Sequence, residues 1–585
     1  MCSLSWGMAI LGCGSPAEST APSEAPSSTP EQADAHTRIR GRLLGHDDRP
    51  ISLAELHVSS TGQPPLDLEV AADGSFALEL PVPGWTRLRI TAVDHEEHTL
   101  EFLADGGEHE ISVRLGTYDR PDAPETIAGF GRFDGEGKRV NLSFTQREDG
   151  TWAATLTRDP EGPGASAKEF HYQIANATRE GRTINGTRAD RYAYDGGGDY
   201  FSVLTLAPLD GGSESEALEI VWDPQAMPPA GLEAAIEFGD PSSTLARSAR
   251  MIETIAEYRI EAMAGVEAEL AAGEKDLKGA VARAHARLRE RLAEAAGAEA
   301  DLVLRRMLLV AWADTLEREP PEDSRAALTE QARQALSELG PRDPIWAMEE
   351  WAMAKLLRLA DDPQYFALAA AEHPDPQVAA ALWLSALIEA DEAGELERAE
   401  EAMAALAQPR FAEVEMIELA KMYSPDRPTA PGRRVPDFRV RSADGKTELS
   451  ASDLRGKTYV LDFWATWCGP CIADMPRLHA AYATLNGQGP VEGRKYQAIT
   501  DPKLELISIS LDHDTKVVEK FRKEQWPMPW AHAVPDEATH KQLAELFGLV
   551  GIPTMVLVGP DGTILASSPR LDGGNLGEIA GPHLQ

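Results

Sequence analysis

Two cysteines three residues apart, at the end of an apolar run, constrain the fold of this chain more than any other stretch. Residues 461–471 read Leu-Asp-Phe-Trp-Ala-Thr-Trp-Cys-Gly-Pro-Cys. The apolar part reads as a strand, and it runs into a helix that carries Cys468 and Cys471 on its first turn. At a helix start the unpaired backbone N–H groups and the helix dipole favour negative charge, so the first thiol is stabilised as its thiolate. That arrangement predicts dithiol chemistry. The other two of the four cysteines, Cys2 and Cys13, stand near the start of the chain. Once a leader is processed, Cys468–Cys471 is the disulfide left to the folded part. Tetrahedral zinc needs a full ligand set, and the sequence offers neither a second cysteine pair nor a companion for His479, so no metal and no cofactor is expected.

At 585 residues the chain is too long for a single hydrophobic core, and about 100 to 200 residues per domain gives roughly three to five domains. Lys and Arg number 56 against 95 Asp and Glu, a formal balance of −39. So acidic a chain is a poor partner for a polyanion, and no nucleic acid is expected. No uninterrupted apolar run reaches the roughly 18 residues of an ordinary transmembrane helix.

Residues 8–13, Met-Ala-Ile-Leu-Gly-Cys, resemble a bacterial lipobox in which Cys13 is lipidated, although Leu11 is larger than usual there and residues 1–12 hold no Lys or Arg. Residues 14–36 are mostly Ser, Pro, Ala, Thr and Glu, the composition of a disordered tether. The resemblance implies a signal over 1–13, a lipid anchor, and a periplasm-facing or surface lipoprotein of a bacterial cell envelope. Gly14 after the cysteine points to the outer membrane.

Residues 37–117 alternate apolar and polar positions between turn residues, as half-buried strands do. The run from Arg38 through Asp73-Gly74-Ser75-Phe76 to residues 86–92 resembles a carboxypeptidase regulatory-like β-sandwich. Residues 121–239 form a second, aromatic-rich β region that is similar to Ig-like, glycogen-binding modules at Trp152, Tyr172 and Asn185. That likeness implies carbohydrate as a candidate partner. The loop at 195–199 lacks the alternating oxygen ligands of a calcium site and reads as a turn. From 243 to 424 Ala, Leu, Glu and Arg dominate with three-four spacing, which predicts about eight or nine amphipathic helices in a bundle or solenoid, with Trp346, Trp351 and Trp383 in its core. A proline-rich linker over 425–434 follows.

From Pro436-Asp437-Phe438 through Asp444-Gly445-Lys446 and Leu454-Arg455-Gly456-Lys457 to the cysteine pair and Met475-Pro476, the order of motifs closely resembles the TlpA-like branch of the thioredoxin superfamily, related to the AhpC/TSA group. The resemblance covers about residues 435–585 and implies an α/β thioredoxin fold. It implies strands over 504–511 and 555–558, helices over 515–525 and 540–547, a hairpin turn at Asp561-Gly562, and a cis peptide bond before Pro553 facing the cysteines. Cys468 is then the exposed attacking thiolate and Cys471 the more buried resolving thiol. Asp462 matches the buried acid that takes a proton from the second cysteine, and Asp474 falls where relatives commonly carry Glu, its shorter reach being a departure. Trp467, Gly469, Pro470, Ile552 and Thr554 are the expected substrate contacts. The loop opened by residues 487–490 and running to Lys503 reads as a surface insertion. A peroxiredoxin would need proline at Leu461 and threonine or serine at Ala465, and both positions fail.

The expected architecture is therefore multidomain: two N-terminal β-sandwich modules, an α-helical bundle or solenoid, and a C-terminal thioredoxin fold. The expected activity is reduction of protein disulfides by an exported thiol–disulfide oxidoreductase, re-reduced by a membrane electron donor. The rivals are a surface carbohydrate-binding lipoprotein with an accessory redox domain, and a thiol peroxidase.

Overall fold

The structure is a computed structural model. It describes residues 36–584 except 122–123, 135–138, 161, 163, 208, 210–214, 274–275, 319, 444, 490–498 and 500. The lipobox with Cys13 and nearly all of the 14–36 tether lie outside the described residues, as does most of the 487–503 loop.

Two four-stranded sheets share the first core. One runs Ala235–Phe238, Gly107–Arg114, His36–Leu44, Ser75–Pro81, and the other Leu66–Glu69, Ala54–Ser60, Gly84–Ala92, His98–Ala104. Period-two alternation builds it: Ile39 and Leu43 point inward while Arg38, Arg40 and Arg42 stay outside. Gly41 faces inward too, because a Cβ there would stand 2.0 Å from the Phe76 ring. Ala235–Phe238 belongs by sequence to the second β region, yet it pairs antiparallel with Gly107–Arg114 of the first sandwich. Alternation identifies a strand without naming its partner, so the 121–239 span does not coincide with a unit of strand pairing.

The second β region holds a five-stranded and a three-stranded sheet around Trp152, Phe170, Tyr172 and Trp222. Here the structure corrects the carbohydrate expectation. Trp152 is 5% exposed, while Tyr172 and Asn185 are fully buried. Asn185 is taken up by the first sandwich, donating to Asp94 Oδ1 at 2.7 Å and accepting from its N–H at 3.0 Å. A sugar-stacking platform must face solvent, and these three residues are core and interface.

Nine α-helices are described between Thr244 and Tyr423. Their starts are set by side chains that accept free N–H groups, as at Ser243, Asp276, Asp301, Asp362 and Asp375, the last two followed by Pro363 and Pro376 on the first turn. Trp346 is fully buried, whereas Trp351 and Trp383 are half-buried against the core. Helix Thr244–Ala271 is joined to the first sandwich: Leu245 and Ala249 enter its core, and Ser248 Oγ accepts from Leu103 N–H at 3.0 Å.

The C-terminal region is a five-stranded sheet in the order Ala531–Ala533, Leu504–Ser510, Thr458–Trp464, Thr554–Val558, Ile564–Ser567. The first three strands are parallel and the last two antiparallel to their neighbours. Every residue of Thr458–Trp464 is buried. Val460 and Trp464 pack beneath helix Gly469–Leu485, and Tyr459, Leu461 and Phe463 face helix Glu537–Phe547. The hairpin between the last two strands turns at Gly562, whose φ of +85° suits glycine.

The 425–434 segment is not a free linker. Arg427 forms an ion pair with Asp391 at 2.8 Å, both side chains under a tenth exposed. Further on, Gly432 N–H donates to Ile564 O and Ile564 N–H to Arg433 O, each at 2.8 Å. From the redox side Arg570 donates to the carbonyls of Asp391 and Glu392, at 2.7 and 3.0 Å. Proline content predicts an extended segment, but the buried arginine fastens it between helix and sheet.

Candidate active site

The central strand delivers its last residue, Trp464, to a short turn of Ala465, Thr466 and Trp467. Asp512, just beyond strand Leu504–Ser510, fixes that turn: its carboxylate accepts from Thr466 N–H at 2.9 Å and Thr466 Oγ1 at 2.7 Å, and from Ser510 Oγ at 2.7 Å. The sequence reading missed Asp512. The signal was a pair of serines and an aspartate closing an otherwise apolar strand.

Cys468 is the N-cap of helix Gly469–Leu485 in an extended conformation, and its own sulfur accepts from Cys471 N–H at 3.2 Å. Cys468 and Cys471 are joined in a disulfide. A sulfur in the position of a cap acceptor binds a backbone N–H more strongly as a thiolate than as a thiol. The two cysteines are 4% and 3% exposed, which corrects the expectation of an exposed first thiol. What projects instead is the rim: Trp467 at 67%, with Gly469 and Pro470 also exposed.

The Ile552–Pro553 bond is cis, and Ile552 O lies 3.7 Å from Cys468 Sγ. In the disulfide that sulfur carries no proton, so the approach is a contact, and it becomes a hydrogen bond only in the protonated thiol. Ile552 and Pro553 are half-buried. Thr554 is turned inward, with its hydroxyl donating to Gly551 O at 2.7 Å. Its side chain therefore supports the loop and does not face an incoming chain.

Asp462 lies on the sheet face beneath the cysteine helix, buried, with Oδ2 accepting from Ser508 Oγ at 2.7 Å. Burial pushes its carboxyl up to about 7, the Ser508 hydrogen bond opposing and the neighbouring Asp474 charge adding to the rise. Asp474 is itself buried. Its Oδ2 accepts from Gly573 N–H at 2.8 Å, and Arg477 lies 2.8 Å from Oδ1, an ion pair by distance although the angle is not that of a hydrogen bond. These contacts pin the helix to the Gly573 turn. The His479 ring lies 4.5 Å from Trp530 and 5.0 Å from Trp526, and burial holds it down at about 4. Among the described residues no group of three or more His, Cys, Asp or Glu is arranged to hold a metal.

A capped, buried cysteine pair on a βα turn, faced by a cis-proline loop and underlain by a buried acid, defines a thioredoxin-like dithiol domain. The family model described as Thioredoxin-like matches residues 456–564. Among curated proteins, nucleoredoxin 3 of Oryza sativa subsp. japonica is 35% identical over 144 residues, which cover 24% of this chain and 27% of that protein. The thiol-disulfide oxidoreductase ResA of Oceanobacillus iheyensis is 30% identical over 139 residues, 23% of this chain and 62% of that protein. The chain thus spans less than two thirds of either relative. Among solved structures, the thioredoxin domain of a thiol-disulfide oxidoreductase from Bacteroides vulgatus aligns at 23% identity over 27% of this chain and 99% of that chain, with a TM-score of 0.23.

Proposed function

We propose that the chain is an exported, lipid-anchored thiol–disulfide oxidoreductase that reduces disulfides in protein substrates. The observation that carries this reading is the sulfur of Cys468 serving as the helix N-cap. In the reduced protein the Cys468 thiolate attacks one sulfur of a substrate disulfide, and the substrate's other sulfur leaves with the electron pair. Cys471 then loses its proton and attacks Cys468 Sγ, releasing the second substrate sulfur as a thiolate and leaving Cys468–Cys471 oxidised. Two electrons have passed to the substrate, and a membrane electron donor returns them. Trp467, Gly469, Pro470 and the Ile552–Pro553 loop surround the reacting sulfurs and supply the contact surface. Export rests on residues 8–13 and the 14–36 composition, with Cys13 as the lipid attachment point and the outer membrane as the destination.

The full chain should catalyse insulin reduction by dithiothreitol, with activity lost in Cys468→Ser and a trapped mixed disulfide in Cys471→Ser; an inert wild type sinks the proposal. Equilibration with glutathione decides direction. A potential near about −120 mV, that of a strong oxidant, overturns the reductase assignment. Cys13→Ser should move the protein from the membrane to the soluble fraction of a bacterial host, and an unchanged distribution removes the anchor.

A further inference from the structure

Across the redox sheet one row of side chains lies under the cysteine helix. Met555, Asp462, Ser508 and His532 are register partners on four successive strands. Ser508 is fully buried in a strand that is otherwise mostly apolar, and a buried hydroxyl is costly unless its bonds are made. Both are made. Ser508 Oγ is 2.7 Å from Asp462 Oδ2 and 2.8 Å from Trp530 Nε1. An indole N–H donates and cannot accept, so Ser508 Oγ is the acceptor from Trp530. The hydroxyl's single proton is thereby directed to Asp462. The chain has one polarity, Trp530 to Ser508 to Asp462, and a rotated hydroxyl would abandon a buried carboxyl oxygen.

We propose that Ser508 and Trp530 are paired positioning residues that set the proton affinity of Asp462 and mark its Oδ1 as the oxygen that carries the proton. This rests on the dithiol reading above. In resolution, the Cys471 thiol gives its proton to Asp462 Oδ1 as its sulfur attacks Cys468 Sγ. The Cys468–substrate S–S bond breaks with its electron pair on the substrate sulfur, and the Cys468–Cys471 bond forms. Ser508, holding Oδ2 as an acceptor, keeps the carboxylate available to take that proton.

The surroundings leave this role to Ser508. From the cysteine helix the charge of Asp474 acts on Asp462 and favours the protonated acid. Met555 on the other side is apolar. Beyond Ser508, His532 is pushed well below its ordinary range by burial and by Arg522, and His479 on the cysteine helix is also held low by burial. Neither histidine brings a positive charge to the row at neutral pH.

The test uses the full chain with Ser508→Ala, Ser508→Thr and Trp530→Phe, each checked for fold by near-ultraviolet circular dichroism. The first readout is the titration of the Asp462 carboxyl 13C resonance, assigned by its loss in Asp462→Asn; the second is the pH profile of insulin reduction. Ser508→Ala should move the Asp462 titration and the acid limb of the profile upward by about one to two pH units. Trp530→Phe should move both in the same direction by less, and Ser508→Thr should restore the wild-type values. A folded Ser508→Ala whose Asp462 titrates as in the wild type overturns the proposal, and Trp530→Phe answers the same question if the alanine variant does not fold. If the resonance shifts as expected but insulin is never reduced, the positioning role stands and the dithiol reading fails.

Discussion

The first sandwich and the redox sheet are both made of short strands, and those strands treat ionisable side chains in opposite ways. In His36–Leu44 the alternation is strict: the arginines stand outside and Thr37, Ile39, Gly41 and Leu43 inside, with Arg38 paired to Glu79 on the neighbouring strand at 3.2 Å in solvent. In the redox sheet Asp462, Ser508, Ser510 and His532 are all buried. Burying such groups costs free energy unless partners are supplied, and Asp462, Ser508 and Ser510 have theirs where a cysteine pair sits above them. The sandwich follows the pattern that makes a sheet stable, and the redox sheet departs from it where the chemistry is.

Four substitutions would break or sharpen this contrast, in order of expected size. Asp462→Asn should stabilise. The folded carboxyl is raised from 3.8 to about 7, so its favourable contribution is complete below the unfolded value and is lost as pH rises through about 7. The amide keeps an acceptor for Ser508 and cannot ionise. The variant should therefore be more stable than the wild type at pH 8, by up to on the order of 4 kcal/mol, with the difference shrinking to little near pH 4. Urea unfolding at the two pH values measures it, and a pH-independent difference would contradict the buried titration. The next substitution should act with the opposite sign. Arg427→Ala removes the hydrogen-bonded partner of buried Asp391 at the docking edge of the redox domain and leaves it facing Arg570 at 3.9 Å, and should cost about 3 kcal/mol. Differential scanning calorimetry should then show the redox domain melting apart from the helices; one unshifted transition would contradict a fastened interface.

In the sandwich, Ile39→Val removes one methylene from the core and should cost about 0.5–1.5 kcal/mol, with insulin reduction unmoved. Arg40→Ala, on the solvent face of the same strand, should stay within about 0.5 kcal/mol. A large loss at Arg40 in chemical denaturation would show that the outer face of this sheet is not simply solvated.

Much of the redox domain was legible in the sequence because its signals are local. The cysteine helix, the strand before it and the turn at Asp561-Gly562 each lie within a few residues of the motif that predicts them. Strand 555–558 differs from the observed Thr554–Val558 by one residue, and helix 540–547 begins three residues earlier, at Glu537, where Asp536 caps it. Long-range partners were not legible. Thr466 meets Asp512 across 46 residues, Asp474 meets Gly573 across 99, and Arg570 meets Asp391 across 179. Periodicity shows that a residue is inside without showing what it touches, so Asp474 read as a group near the sulfurs and is found tied to a distant turn. For the same reason the aromatic strands around Trp152 read as a candidate platform, and the second sheet that covers them became visible only in three dimensions.

The clasp of Arg427 and Arg570 on Asp391 and Glu392 has a mechanical consequence. A thiol domain on a slack strap samples many orientations, and each encounter must pay the entropy of choosing one. Here the cysteine pair is mounted at a fixed heading relative to the helices, so that entropy is spent during folding and not at each collision. Redox domain and helices form a single keel, and any reorientation of the active site turns the helical body with it.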